Sequence, residues 1–438
     1  MYKSAVVMIA GATSALFAAS VQASPLANTY PTGSSLAPLT LEADGTFQVS
    51  VLEDLHFGEN AWDQWGPQQD INSVKVLNKI FDKETPGLVV LNGDLITGEN
   101  GFLENATVYV DQIVAPLLSR NLTWASTYGN HDYDYNISGS AILEREHLWG
   151  RSRTSPMISG PDVGVSNYYL PVYEHGCTTT NIQSCTPQLL LWFFDSRGGF
   201  KYQQLDSQGN RVGQPNWVDS SVVDWFTSTN TLLKTQHGGR TIPSLAFVHI
   251  PTFASYAFQE SSPGPDAHKQ PGINDDLPLA PQAQGWCRDG SNNGSCTYGG
   301  QDEPFMQALS HTEGLMAVFS GHDHGDTWCY KWDRLLPDMN ITPANNVTLC
   351  FGQHTGYGGY GNWERGSRQV QVSKESLKKF EAKTWIRLES GAVVGTVRLN
   401  ETYGLDSYPK TNDSMTYCPT CMYKRELRRG PVPQKLRM

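Results

Sequence analysis

Short apolar runs along the chain end repeatedly in tight polar clusters. Phe47, Val49 and Val51 alternate with Gln48 and Ser50 before Glu53-Asp54-Leu55-His56. Residues 88–91 lead into Asn92-Gly93-Asp94, and residues 124–128 into Gly129-Asn130-His131-Asp132. Residues 245–248 run into His249-Ile250-Pro251, and 315–319 into Ser320-Gly321-His322-Asp323-His324. Another run, 189–194, stops at Asp195. Alternation, and short β-rich runs bounded by turn formers, predict strands. Ile71, Val74, Leu77, Ile80 and Phe81 predict one helix face, and residues 222–233 a further helix. Residues 108–120 predict a helix kinked or divided at Pro116, which lacks a backbone donor. Strands alternating with helices predict a layered α/β fold, whose polar loops collect at strand ends. After Gly325 the pattern changes: residues 347–351, 385–388 and 392–397 read as strands with little helix between them. They predict a second sheet packed on the first.

The N-terminus adds a compartment. A short basic start is followed by an apolar run to about residue 19, and Val21-Gln22-Ala23 offers a small-x-small cleavage site. This predicts a secretory signal peptide over 1–23 and a secreted protein. Later apolar stretches are too short to span a bilayer. An extended lead-in rich in Pro, Ser and Thr covers 24–41, one α/β domain covers 42–404, and a tail covers 405–438. Within the domain, 250–321 reads as a loop-rich insertion near the site, rich in Pro and Gly. Eight cysteines fit disulfides in an oxidising compartment, and proximity favours Cys177–Cys185, Cys287–Cys296, Cys329–Cys350 and Cys418–Cys421. Sequons at Asn105, Asn121, Asn136, Asn293, Asn340, Asn346, Asn400 and Asn412 predict N-glycans. A net charge of −11 argues against a nucleic-acid-binding surface. It leaves room for an anionic substrate, because bound metals reverse the local potential.

The strand-end clusters hold carboxylate, amide and imidazole groups without thiolate. That donor set suits Fe, Zn or Mn. Asp54 and His56 stand two apart, as do His322 and His324, so each pair points to one side of an extended segment. Seven donors exceed the four of a single tetrahedral zinc and fit a pair of ions. Each cluster alone has an ordinary reading as a turn or a core histidine; their order and strand-end placement together carry the inference.

In order, the clusters Asp54-Leu55-His56, Gly93-Asp94, Gly129-Asn130-His131-Asp132, His249 and Gly321-His322-Asp323-His324 resemble the motifs of the calcineurin-like metallophosphoesterase superfamily. The wording between them is similar to secreted fungal phosphatases of that superfamily. The resemblance implies a four-layer αββα sandwich of two mixed sheets. It implies one metal held by Asp54, His56, Asp94 and His324, and a second held by Asp94, Asn130, His249 and His322. A metal-bridging hydroxide would attack phosphorus in line, and His131 would contact the phosphate and protonate the leaving oxygen. Asp94, as the bridge, and His131 are thus the expected catalytic pair, with Asn130 and His131 on the substrate. Purple acid phosphatases place tyrosine where Thr97 stands and glycine where His56 stands, so their ligand set is not expected. The D-R-G sequence of cytosolic Ser/Thr phosphatases is also missing.

The glycine- and aromatic-rich stretch 352–363 supplies two further expected substrate contacts, His354 and Tyr357. The expected activity is that of a phosphomonoesterase. A phosphodiesterase or nucleotidase on the same site remains open, as does a binding module without turnover. A metallo-β-lactamase reading of His322-Asp323-His324-Gly325-Asp326 meets Thr327 where its next histidine belongs, and leaves the earlier clusters unexplained.

Overall fold

Residues 36–279, 282–291, 295–412 and 414–418 are described by a computed structural model. The expected signal peptide, most of the lead-in, the Asn293 sequon and Cys421 lie outside the described residues. Two mixed sheets face one another. The seven-stranded sheet runs β1 (Leu39–Thr40), β5 (Tyr168–Tyr173), β6 (Pro187–Phe194), β9 (Ser244–Val248), β10 (Leu315–Ser320), β12 (Thr348–Phe351), β11 (Cys329–Lys331). The six-stranded sheet runs β15 (Val393–Leu399), β14 (Ala382–Leu388), β13 (Gly366–Ser373), β2 (Thr46–Leu52), β3 (Leu88–Asn92), β4 (Trp124–Thr127). A separate hairpin joins β7 (Phe200–Leu205) to β8 (Arg211–Gly213).

Side-chain alternation assigns each strand to two layers. Leu88 and Val90 of β3 fill the space between the sheets, and Val89 and Leu91 face the helices. Strand β6 does the same: Leu189, Leu191 and Phe193 point between the sheets, Leu190, Trp192 and Phe194 outward. Both faces are therefore covered, as continuous apolar runs require. Helices α1 (Trp65–Phe81), α2 (Tyr109–Ser119) and α3 (Gly139–His147) pack on the six-stranded sheet. The seven-stranded sheet carries α4 (Ser220–Gln236), α5 (Phe253–Gln259) and α6 (Glu303–His311), and a single-turn α7 (Lys374–Leu377) follows β13. This is the expected four-layer arrangement.

Several local expectations are corrected. Strands after Gly325 do not build a sheet of their own: β12 joins β10, whereas β13 pairs with β2. Both sheets are thus closed by the C-terminal third of the chain. Ile71 is 50% exposed, because nine residues at about 100° each place it opposite Ile80. Pro116 sits inside an unbroken α2. The insertion is less irregular than its composition suggests, since it contributes α5 and α6. Strand β13 (GSRQVQVS) is central yet reads as polar. It is buried because the Arg368 guanidinium donates to the Phe351 carbonyl at 2.6 Å, the Thr327 carbonyl at 2.6 Å and the Thr384 hydroxyl at 3.0 Å. Disulfides join Cys177 to Cys185, Cys287 to Cys296 and Cys329 to Cys350. Cys418 is also disulfide-bonded. Among the described residues no helix is long and apolar enough to cross a membrane.

Candidate metal centre

Strands β2, β3 and β4 run parallel, and so do β6, β9 and β10. Their C-terminal ends therefore lie on common sheet edges, and the segments after them deliver every expected donor. The chain leaves β2 and β3 through unusual backbone: Asp54 (φ 54°), His56 (φ 48°) and Asp94 (φ 48°) are left-handed, and so is His322 (φ 73°) after β10. Non-glycine residues avoid this region unless surrounding structure over-determines them, and such residues gather at functional sites. Here the loops hold one another. The His56 N–H donates to the Asp94 carbonyl at 2.9 Å, and the His322 N–H reaches the Asp54 carboxylate at 3.1 Å. Asp132 straps two loops together, accepting from Leu95 and Ile96 through one oxygen and from Gly129 through the other. Burial, followed by the charge of Asp94, pushes the Asp132 carboxyl up to about 7.

Donor atoms converge in three groups, each within 4.8 Å: Asp54, His56 and His324; His56, Asp94 and His131; and Asp94, His249 and His322. Asp94 and His56 each belong to two groups, so the three form one centre. The imidazoles are oriented from behind. His249 Nδ1 lies 2.9 Å from the Asn92 carbonyl, and His324 Nδ1 lies 2.8 Å from the Tyr360 carbonyl. A carbonyl only accepts, so both Nδ1 atoms carry the proton and both Nε2 lone pairs face inward. His56 Nε2 stands 3.2 Å from His324 Nε2, and His249 Nε2 stands 3.0 Å from Asp94 Oδ2. The buried Asn130 Oδ1 has no hydrogen-bond partner. Inward lone pairs at such separations repel unless a cation or proton lies among them, so the residues present fit a bound metal pair.

Protonation follows the same logic. Burial opposes charge on Asp94, yet His249, His131 and His56 hold its carboxyl well below the usual range. Burial also opposes charge on His249, yet Asp94 and then Asp54 lift it to about 9. Burial, then the charge on His249, pushes His322 down to about 3.

The stretch 352–363 lies beside the donors but forms a wall behind them. Tyr360 stacks on His324 with centroids 4.0 Å apart and planes 7° apart, and His354 lies 3.9 Å from the same ring. The His324 N–H donates to the Tyr360 hydroxyl, which in turn donates to Asp276. Gly359 (φ 73°) is required here, because a Cβ would run into the rings of His324 and His56. His354 is 2% exposed and donates through Nε2 to the Gly358 carbonyl. The Tyr357 hydroxyl donates to Glu389, and its ring covers Arg365. The observed partners of these two expected substrate contacts are therefore protein groups. Thr97, in the place of the purple enzymes' tyrosine, sets its hydroxyl 2.9 Å from His56 Nδ1.

His131 differs from the other donors. Its side chain is 31% exposed, and Nδ1 lies 2.6 Å from Glu99 Oε1. Its backbone N–H donates to Asp94 Oδ1 at 2.8 Å. Glu99 was not among the expected site residues. Its one signal in the sequence is its place in the loop that follows Asp94.

The family model of the calcineurin-like phosphoesterases matches residues 54–326. The chain is 24% identical over 378 residues to a protein of Arabidopsis thaliana named "Probable inactive purple acid phosphatase 29", covering 80% of this chain and 84% of that protein. It is 26% identical over 375 residues to Phosphatase DCR2 of Saccharomyces cerevisiae, covering 82% of this chain and 57% of that one. Among solved structures, a dimetal phosphatase from Danio rerio aligns with a TM-score of 0.46 at 12% identity, over 81% of this chain and 98% of that one. The family match spans more than half of the sequence and encloses every donor cluster. The chain therefore belongs to the calcineurin-like phosphoesterases, metal-dependent hydrolases of phosphoric ester bonds.

Proposed function

We propose that this chain is a secreted phosphomonoesterase working through two metal ions. Asp54, His56, Asp94 and His324 would hold one ion, and Asp94, Asn130, His249 and His322 the other, with Fe, Zn or Mn as the metals that suit these donors. The observation that carries the reading is the convergence of buried carboxylate and imidazole donors on the shared Asp94, with His131 as the partly open member. When bound, such a pair supplies a nucleophilic water at neutral pH and neutralises charge on the phosphoryl oxygens.

The chain's own residues do the rest. His131, engaged through Nδ1 by Glu99, presents its other nitrogen to the leaving oxygen and gives it a proton as the ester bond breaks. The Asp94 carboxylate accepts from the His131 backbone N–H, so the acid and the carboxylate that would serve both ions keep one geometry. Asp132 maintains the spacing of their two loops. The wall of half-buried Tyr360 and buried His354 keeps the His324 ring in place.

Secretion rests on the N-terminal 1–23 segment and is supported by the three disulfides within the described residues. Five sequon asparagines, Asn105, Asn121, Asn340, Asn346 and Asn412, are exposed and suited to carry glycans. We assign one catalytic domain to 42–404 and a separate tail to 405–438.

The test is metal analysis of the secreted protein combined with a panel of phosphate monoesters, diesters and nucleotides. Two ions per chain with monoester turnover is the expected result. Faster cleavage of diesters or nucleotides would replace the monoesterase reading with the phosphodiesterase or nucleotidase one. Two ions without turnover of any substrate would make the chain a binding module, in keeping with the word "inactive" in the Arabidopsis protein's name.

A further inference from the structure

Trp62 and Phe102 are 55% and 45% exposed, yet their rings pack edge to face with centroids 6.1 Å apart. Each stands on a loop that begins at the centre: Trp62 follows His56, and Phe102 follows Glu99 by three residues. Three residues reach at most about 10 Å, so Phe102 lies within that distance of the Glu99 backbone. Both loops are tied down. The Ala61 N–H donates to the Asn100 carbonyl at 3.3 Å, and the Asn136 side-chain amide donates to the Gly101 carbonyl at 3.2 Å. Leu103 (46% exposed) and Val108 (42%) are further exposed apolar residues on the segment that carries Phe102. An edge-to-face aromatic pair is a rigid apolar surface, and exposed apolar surface rimmed by polar residues marks a place for a ligand.

We infer that Trp62 and Phe102 form a stacking rim for the leaving group, and that the preferred substrate is a phosphoester whose leaving group carries a flat aromatic ring. The inference rests on His131 as the group that meets the leaving oxygen. The leaving group then emerges beside the His131–Glu99 pair, and Phe102 follows Glu99 by three residues. Tyr357, the residue that the sequence offers for such stacking, has its ring on Arg365 and its hydroxyl on Glu389.

The experiment compares the wild type with Trp62→Ala and Phe102→Ala in the full secreted protein. Calorimetry measures binding of 1-naphthyl phosphate and of inorganic phosphate, and kinetics compare 1-naphthyl phosphate with glycerol 2-phosphate. Loss of one stacking partner is expected to weaken binding of the naphthyl ester about tenfold and raise its KM similarly. Inorganic phosphate affinity and glycerol 2-phosphate kinetics should stay within about twofold of wild type. Trp62→Phe, which keeps a ring, should restore most of the loss. Equal effects on both ligands, or none on either, would overturn the rim. So would a change of particle mass in light scattering without a change in ligand preference, which would make the patch a contact between copies of the chain. Because binding needs no turnover, an inactive wild type would remove the proposed activity while the rim is still judged by calorimetry.

Discussion

The donor cage and the His131–Glu99 pair stand side by side but are built by different means. The carboxylate and imidazole donors of the cage are buried, and four of them sit in left-handed backbone. Three of the imidazoles, those of His249, His56 and His324, are fixed from behind by Asn92, Thr97 and Tyr360. The His131–Glu99 pair is about a third to a quarter exposed and stands on short 3-10 turns, Gly98–Asn100 and Asn130–Asp132. A cation demands fixed geometry, and the fold stores strain to provide it. A substrate must enter and leave, and the proposed contacts stand on less constrained backbone. Damage to the cage should therefore remove metal and activity together, and damage to the open pair should remove activity alone.

The largest effect that sharpens this contrast comes from Asp94→Asn. Loss of the shared carboxylate should reduce kcat/KM on the order of 10³-fold or more, since the metal contribution is several kcal/mol. Plasma mass spectrometry should show metal lost as well, with the circular dichroism spectrum unchanged. Normal turnover of an aryl phosphate by this variant would sink the proposed mechanism. His131→Ala should follow, with kcat reduced about 10² to 10⁴-fold and metal content intact. If the metal left together with the activity, His131 would belong to the cage and the contrast would break.

Tyr360→Leu removes the ring stacked on His324 and the hydroxyl that accepts its N–H. Support of this kind typically sets metal affinity within a factor of about 10–100. The variant should therefore lose activity that excess metal restores, a rescue that His131→Ala should not show. Glu99→Gln should be milder, lowering kcat about tenfold with metal content unchanged, because the amide keeps one hydrogen bond but not its charge. A rise in KM without a fall in kcat would instead make Glu99 a substrate contact.

The sequence made the cage legible and left the open side largely hidden, for physical reasons. Each donor directly follows a strand whose apolar period is readable, so five local signals could be placed on common sheet edges. The wall behind His324 depends on contacts 30 to 36 residues away, as in His324 with His354 and with Tyr360. Its aromatics could be noticed but not oriented. Glu99 meets His131 only when two loops from different strands are brought together, and its place in the loop after Asp94 is the one local feature that sets it apart from a surface acid. Trp62 and Phe102 lie in irregular segments without period. At the level of the fold, β13 escaped because its burial depends on the Arg368 bonds to two other strand-end segments.

The smallest effect concerns the insertion, and it asks whether the cage is self-contained. Asp302 is fully buried just before α6, accepting from the Phe253 N–H at 2.8 Å and from the Tyr298 hydroxyl. Phe253 stands four residues after His249, and its ring stacks on Tyr298. Burial pushes the Asp302 carboxyl up to about 7 from an ordinary value of 3.8, although both hydrogen bonds oppose the shift. Between those limits the folded protein keeps the proton that the unfolded chain releases. The contribution of Asp302 to stability is thus fully present below pH 3.8, declines as pH rises, and is gone above about 7. Asp302→Asn, similar in shape and uncharged, removes that dependence. Its melting temperature should fall less between pH 4 and 7 than that of the wild type, and metal content and kcat at a fixed pH should not change. Parallel melting curves would show that Asp302 ionises normally in the fold. Metal loss in this variant would show that the insertion helps to hold His249, and that the cage extends beyond the strand ends that define it.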